Sequence, residues 1–199
     1  MIIPEKLSTE EKILLAAEQV FLRSGYDGSR MQEIADLAGI NKAMLHYYFR
    51  SKDVLFEKIF EKKLVYFLPK VKELVKMDIP FVEKVCKYAE MHIHLLSEHP
   101  YLPLFIINTV HKDKNFVEKL PSLLGAEFIQ AYYDELMKGK VKEVQPAQFL
   151  MSVVSMCVFP FLSKPILCHI IGISDEDFKE LMKMRIDEVK TYINYILKP

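Results

Sequence analysis

The chain has 199 residues, of which 51% are hydrophobic, so it can bury a sizeable core and is not globally disordered. Lysine plus arginine equals aspartate plus glutamate at 27 each, which excludes binding of polyanions through overall charge; any nucleic-acid contact must come from a local patch. The three cysteines Cys86, Cys157 and Cys168 form no Cys-x-x-Cys pair, which argues against a disulfide framework and favours a reduced, cytoplasmic protein.

The pattern predicts an all-α chain with about nine helices, because glycines are few and no β-branched run alternates with polar residues. Ser8 with Glu11 forms a capping box that opens the first helix, and Gly25 is predicted to end it. Ser29 with Gln32 repeats the capping pattern and is predicted to start a second, short helix.

Gly39 stops the second helix, since glycine enters a left-handed turn without steric cost. Asn41 caps a third helix over residues 42–48, and Ser51 caps a fourth over 52 to 77. Pro69 lies inside the fourth pattern, where we expect a kink or break.

The remaining helices are marked by prolines and one capping serine. Pro80 begins a fifth helix that ends near residue 99, and a later helix to residue 138 is expected to be interrupted at Pro121. Pro146 opens a very apolar helix that ends near residues 160–163, and Ser174 caps the last helix over 175–197.

Residues 144–163 carry no formal charge and approach the length of a bilayer span. They include five polar residues and two prolines, so we favour a helix buried in a core or dimer interface and expect no membrane partner. The first eleven residues contain no apolar core of a signal peptide.

Residues 29–52, SRMQEIADLAGINKAMLHYYFRSK, have the features of a helix-turn-helix, whose second helix lies in the major groove of DNA. Gly39 makes the turn, and Ala35 and Ala38 allow the helices to approach closely. Lys42, Arg50 and Lys52, with no acidic residue between positions 40 and 52, give a local charge of +3.

Individual residues of this segment match kinds of DNA contact. Lys42 and His46 are suited to base edges, and Ala43 and Met44 to thymine methyl groups. The hydroxyl groups of the tyrosine pair and the ammonium group of Lys52 are suited to phosphates. The pattern alone leaves a second reading open, in which the helix pair binds nothing and the aromatic residues only pack.

The segments AAEQVFLRSGYDGS and EIADLAGINKAMLHYYFRSKDVLF resemble the tetracycline-repressor (TetR) family of bacterial transcriptional regulators. The resemblance covers residues 9–57 and implies base contacts and phosphate contacts from these positions: Gln32, Lys42, Ala43, Met44 and His46 toward bases, and Tyr47, Tyr48 and Lys52 toward phosphates. His46 replaces a usual tyrosine, Ala43 a common glycine, and Met44 a small or hydroxyl residue, so the operator sequence stays open.

The resemblance also implies two domains: residues 1–51 as the helix-turn-helix domain and 52–199 as a helical domain that binds a small-molecule effector and forms a homodimer. We therefore expect a ligand-responsive repressor that binds a palindromic operator on double-stranded DNA, without a cofactor or metal. The predicted dimer residues lie on the last two long helices: Phe149, Val153, Phe178, Met182, Val189, Ile193 and Ile196. They could equally be core.

Candidate effector residues combine aromatic, flexible apolar and a few polar side chains, as ligand pockets do. They are Tyr66, Tyr88, Met91, Leu95, Phe105, Asn108, Thr109, Phe128, Tyr132 and Met156, although such a stripe is more often core. His92 and His94 lie two positions apart on a helix and face different sides, so we expect surface or hydrogen-bonded histidines and no metal site.

Two other functions compete with a repressor. One is a small-molecule-binding or interaction protein whose helix-turn-helix no longer reads DNA, which the net charge of zero keeps open. The other is an all-helical enzyme, which we do not expect because no nucleophile-elbow or phosphate-loop motif occurs. The sequence leaves open the effector, the regulated genes and whether transcription is repressed or activated.

Overall fold

The computed structural model describes residues 7–112 and 126–199. Every regular element among them is a helix, and the all-α prediction is confirmed. The ten helices are α1 Thr9–Gly28, α2 Met31–Ala38, α3 Lys42–Tyr48, α4 Lys52–Lys76, α5 Phe81–Glu98, α6 Leu102–Lys112, α7 Ala126–Met137, α8 Pro146–Leu162, α9 Lys164–Ile171 and α10 Asp175–Leu197. The predicted interruption at Pro121 lies outside the described residues.

The ends of the first two helices agree with the prediction in part. The capping box of Ser8 and Glu11 is confirmed; Gly25, with a φ of 66°, interrupts the helix as predicted, but a further helical turn follows it and extends α1 to Gly28. Ser29 was wrongly predicted to cap α2. Its hydroxyl group donates to the Tyr26 carbonyl oxygen at 2.6 Å, and Arg30 occupies the cap position without a side-chain hydrogen bond.

Pro69 does not break α4, which is continuous from Lys52 to Lys76, and the alternative of a kink at Pro69 stays a prediction. Pro69 is exposed, so water can replace the backbone hydrogen bond that proline removes. The chain divides into two compact units within this helix, between Tyr66 and Phe67. The functional boundary expected after residue 51 stays a prediction.

The first unit is held together by an aromatic cluster and an ion pair between α1 and α4. The ring centroid of Phe56 lies 4.7 Å from that of Phe21 and 5.2 Å from that of Tyr26. Lys63 Nζ lies 2.9 Å from Glu18 Oε2. α2 packs against both α1 and α3, so it connects the short third helix to the rest of the unit.

The second unit is built around α5, which packs against α8 and α10. Its buried side contains Val85, Tyr88, Ala89, Ile93 and Leu96. Such i, i+3 and i+4 spacing is what an amphipathic helix needs in order to bury one face.

α9 was missed by the sequence reading, which ended the preceding helix near Ser163. Pro165 supplies the start signal, because proline fits the first turn of a helix, and Gly172 ends it with a φ of 73°. Within the described chain no single helix is long and apolar enough to cross a membrane. α8 and α9 together reach that length and composition, but they are bent by 76°.

Candidate nucleic-acid interface

The turn between α2 and α3 is fixed by backbone conformation and by one side-chain cap. Gly39 has φ 70° and ψ 31°, and its N–H donates to the last carbonyl groups of α2. The N–H of Ile40 donates to the Ala35 carbonyl oxygen at 3.0 Å. Asn41 Oδ1 then accepts from the N–H of Met44 at 2.8 Å, so the direction of α3 is set at its first turn.

α3 is anchored by a single buried side chain. Leu45 is completely buried, and Phe49, which follows the helix, is 5% exposed. On α2, Ile34, Ala35 and Ala38 form the buried side. One large apolar anchor on a seven-residue helix leaves the remaining side chains free to face solvent.

The predicted base-contacting residues of α3 are all exposed: Lys42, Ala43, Met44 and His46. His46 Nδ1 lies 3.3 Å from the Arg50 carbonyl oxygen, which holds the ring against the end of the helix. Gln32 lies apart from them on α2, is also exposed, and donates to Asp36 Oδ1 at 2.7 Å.

Two aromatic side chains extend the exposed surface at the end of α3. Tyr47 is 83% exposed and Tyr48 is 42% exposed, and their rings pack edge to face with centroids 5.5 Å apart. Large exposed tyrosines of this kind place hydroxyl groups where a phosphate backbone can accept hydrogen bonds.

The positive charge of this surface is carried by Lys42 and Arg50. Both side chains are exposed, and neither forms an ion pair with a described residue. By contrast, Arg23 on α1 is paired with Glu33 on α2, which ties those two helices together. A local positive surface therefore exists in a chain whose net charge is zero.

Lys52 differs from the other predicted phosphate contacts because its ammonium group is already engaged. Nζ donates to the carbonyl oxygens of Tyr26 at 2.6 Å and Ser29 at 3.2 Å. It also lies 4.4 Å from the centre of the Tyr26 ring. The tyrosine hydroxyl donates to Asp53 Oδ1 at 2.5 Å; burial, and then this hydrogen bond, raise the pKa of Tyr26. Sequence reasoning missed this structural role.

Two of the predicted effector residues lie together at one cavity in the described part of the chain. Phe128 and Tyr132 line an apolar cavity of about 120 Å³ with Phe81, which is smaller than the usual range for ligand sites. The hydroxyl group of Tyr132 is satisfied locally, since it accepts from the Val144 N–H at 2.8 Å and donates to the carbonyl oxygen of that residue at 3.0 Å.

The other predicted effector residues are distributed through the fold. Tyr88 and Phe105 are buried, whereas Tyr66, in the first unit, is 66% exposed. The rest are half-buried: Met91, Leu95, Asn108, Thr109 and Met156.

His92 was expected to be a surface or hydrogen-bonded histidine, and that expectation is wrong. Its Nδ1 is buried and has no hydrogen-bond partner among the described residues. Its ring lies against Phe67 and Tyr88, with centroids 5.7 and 5.5 Å away. Desolvation by burial lowers the pKa of His92 to about 4, so the ring is neutral at physiological pH.

The predicted dimer residues are largely covered within their own unit. Six of them are buried there, namely Phe149, Val153, Phe178, Met182, Val189 and Ile193, and Ile196 is half-buried. The sequence correctly predicts an apolar stripe on these two helices, but in the structure other helices of the same chain cover it. The outward faces of α8 and α10 carry other apolar side chains: Met151, Phe159, Met184, Tyr192 and Tyr195.

The three cysteines form no disulfide, and Cys157 is the buried one of the three. Burial raises its pKa to about 12, so the thiol is protonated and unreactive at neutral pH. No cluster of histidine, cysteine and carboxylate side chains in the described ranges could hold a metal ion.

Comparisons with known proteins agree with this geometry. Residues 13–59 match the family model described as bacterial regulatory proteins, tetR family. The chain is 24% identical to the Bacillus subtilis protein named Probable HTH-type transcriptional regulator YttP, over 97% of this chain and 96% of that one. It is 43% identical to the HTH-type transcriptional repressor NicS of Pseudomonas putida, but over only 27% of this chain and 25% of NicS.

A solved structure extends the likeness of fold across the whole chain. A TetR transcription regulator from Haloarcula marismortui superposes with a TM-score of 0.68 at 16% identity, covering 96% of this chain and 98% of that one. Together with the family match over the helix-turn-helix and the nearly full-length match to YttP, this gives the likeness its extent: residues 13–59 match the tetR family of bacterial regulatory proteins, and the rest of the chain resembles its members in fold.

Proposed function

We propose that this protein is a DNA-binding transcriptional regulator, acting as a repressor that a small-molecule effector releases from its operator. The observation that carries the proposal is the construction of α3. Leu45 and the Asn41 cap fix the helix, while Lys42, Ala43 and Met44 at its first turn stay exposed. A recognition helix needs this combination of a rigid anchor and exposed N-terminal side chains.

Specificity would come from the first turn of α3. The ammonium group of Lys42 suits the O6 and N7 acceptors of guanine, and the methyl and thioether groups of Ala43 and Met44 suit the thymine methyl group. Position along the duplex would come from Tyr47, Tyr48 and Arg50, which contact the backbone. Lys52 acts mainly as a tether, and contributes to phosphate binding through its charge.

The operator is proposed to be a palindrome read by a homodimer. Two copies related by a two-fold axis present two recognition helices one or more turns of DNA apart. The surface best suited to the partner is the exposed apolar face of α8 and α10, which includes Met151, Met184 and Tyr195. Such a regulator acts where the chromosome is, in the bacterial cytoplasm.

Effector control would work through the second unit. An effector shifts DNA affinity only by as much as it distinguishes the DNA-binding conformation from the released one. Nδ1 of His92 has no partner among the described residues and is the described polar atom that most needs a ligand hydrogen bond; the His92 ring packs beside those of Phe67 and Tyr88.

The proposal is tested by selecting binding sites for the purified full-length protein from a pool of randomised duplexes. Enrichment of one palindromic sequence over successive rounds is the expected result. A pool that stays random, with only weak binding lost at moderate salt, would instead favour a helical interaction protein that no longer reads DNA.

A further inference from the structure

A cleft of about 450 Å³ lies in the second unit, between α5, the junction of α8 and α9, and α10. Its volume falls within the range of roughly 300–1,000 Å³ in which small-molecule sites occur. It shares no residue with the predicted effector set, and its lining comes from well-separated parts of the chain, from His94 to Ile186. The predicted effector site therefore does not account for this cleft.

The floor of the cleft is apolar. Phe161, Phe178 and Met182 are buried beneath it, and Ile186 is half-buried at its side. The rings of the two phenylalanines meet edge to face, with centroids 6.1 Å apart. Aromatic edges and a flexible thioether together accept an alkyl chain or a ring without demanding a hydrogen bond.

The rim of the cleft is basic. Among the described residues, its ionisable lining groups are His94, Lys164, Lys179 and Lys183, and no carboxylate lines it. We call it the lysine-rimmed cleft. Lys164 Nζ lies 5.4 Å from the centre of the Phe178 ring, so one ammonium group is placed where the rim meets the floor.

Each rim lysine has a carboxylate partner, but those partners lie outside the cleft. Lys164 Nζ is 2.9 Å from Asp175 Oδ1, whose side chain is 79% exposed. Lys179 and Lys183 form i, i+3 pairs on α10 with Glu176 and Glu180. Solvent screens the exposed pairs of Lys179 and Lys183, so these two lysines can turn to a bound anion with little loss of free energy.

We propose that the lysine-rimmed cleft binds an anionic amphiphile. Its apolar chain or ring system would cover Phe178 and Met182, and its carboxylate, sulfate or phosphate head would lie among Lys164, Lys179 and Lys183. A second copy docked on a two-fold axis through the cleft would bring identical lysines together, which disfavours that occupant. The proposal concerns the second unit alone and does not depend on DNA binding.

Calorimetric titration of the full-length protein without DNA tests the proposal, with decanoate as the probe below its micelle concentration. Decyl phosphate compares the two head groups, while 1-decanol and decyltrimethylammonium keep the tail and remove or reverse the charge. Decanoate or decyl phosphate should bind once per chain, at least about tenfold more tightly than the uncharged or cationic probe.

Matched variants locate the site. Combining Lys179→Gln with Lys183→Gln should weaken decanoate binding by about tenfold. Lys87→Gln, which removes an exposed lysine paired with Glu83 on α5, should leave it unchanged. Ser97→Trp should block the cleft sterically, since Ser97 lines it and its hydroxyl group, among the described residues, bonds only to the Ile93 carbonyl oxygen.

Three results would overturn the proposal: no binding of either anionic probe, equal binding of decanol and decanoate, or unchanged affinity in both the double lysine variant and Ser97→Trp. Circular dichroism of each variant establishes that it is folded. If the double variant does not fold, Ser97→Trp alone decides the location.

Discussion

The ammonium group of Lys52 donates a 2.6 Å hydrogen bond to the carbonyl oxygen of Tyr26, which precedes it by 26 residues. The contact joins the start of α4 to the end of α1, on either side of the helix-turn-helix. The hydrogen bond therefore holds together the two ends of the segment 26–52, which contains α2 and α3. Stability of the first unit and presentation of α3 depend on the same lysine.

Lys52→Ala should therefore lower the free energy of unfolding by about 1–2 kcal/mol, because two carbonyl groups lose a charged donor and the Tyr26 ring loses its cation. Urea unfolding followed by circular dichroism measures the change. Lys58→Ala is the matched control, since it removes an exposed i, i+3 pair with Glu61 and should change stability by less than about 0.5 kcal/mol. Equal stability of both variants would rule out the tether.

Gly39→Ala should weaken DNA binding and destabilise the protein by about 1 kcal/mol, because an alanine at φ 70° is strained. Gly28→Ala is the natural control. Its added Cβ would lie 3.5 Å from Ser24 Cβ, an ordinary contact, and its φ is not positive. Thermal unfolding and a gel shift compare the two. A Gly39→Ala protein that matches the control in both would contradict the role given to the turn.

Stability should fall as pH falls from about 6.5 to 4, because His92 binds a proton more readily in the unfolded chain than in the folded one. Above pH 6.5 the ring is neutral in both states, and its burial contributes fully to stability. Below pH 4 the ring is protonated in both states, and that contribution to stability is lost. The loss amounts to at most about 3 kcal/mol.

His92→Phe should remove that part of the pH dependence, whereas His94→Gln, at an exposed position two residues away, should keep it. Free energies of unfolding at pH 7 and pH 5 measure the difference between the variants. The burial of His92 is contradicted if the parent and His92→Phe lose the same stability on acidification.

Met184→Glu should weaken self-association, because it places a charge in the exposed apolar face of α10. Met137→Glu is a suitable control, since Met137 is 87% exposed at the end of α7. Sedimentation velocity over a range of concentrations distinguishes the species. Dissociation of both variants, or of neither, would place the dimer interface elsewhere.

Local signals explain what could be predicted from the sequence. The turn at Gly39, the Asn41 cap and the buried side of α2 depend on residues within one or two helical turns of one another. The predicted apolar helix ends near residues 160–163, and the prediction does not use Pro165, which begins α9.

Contacts distant in the sequence explain what could not be predicted. The engagement of Lys52 needs the position of the Tyr26 carbonyl group, and no local pattern specifies it. Periodicity correctly identified the apolar stripe with Phe178, Val189 and Ile193, but it does not distinguish burial by α5 from burial by a partner. The isolation of His92 Nδ1 likewise appears only when the packing of α5 is known.

The most direct test of the central claim is a fluorescence-anisotropy titration of a selected palindrome with the parent protein, Lys42→Ala and Lys72→Ala. Lys72 is an exposed lysine on α4 in the second unit and provides the control. Lys42→Ala should weaken binding of the palindrome by about tenfold or more and change the preferred bases, while Lys72→Ala should bind like the parent. If the parent binds the palindrome and a scrambled duplex equally well, or if Lys42→Ala matches Lys72→Ala on both, α3 does not read DNA.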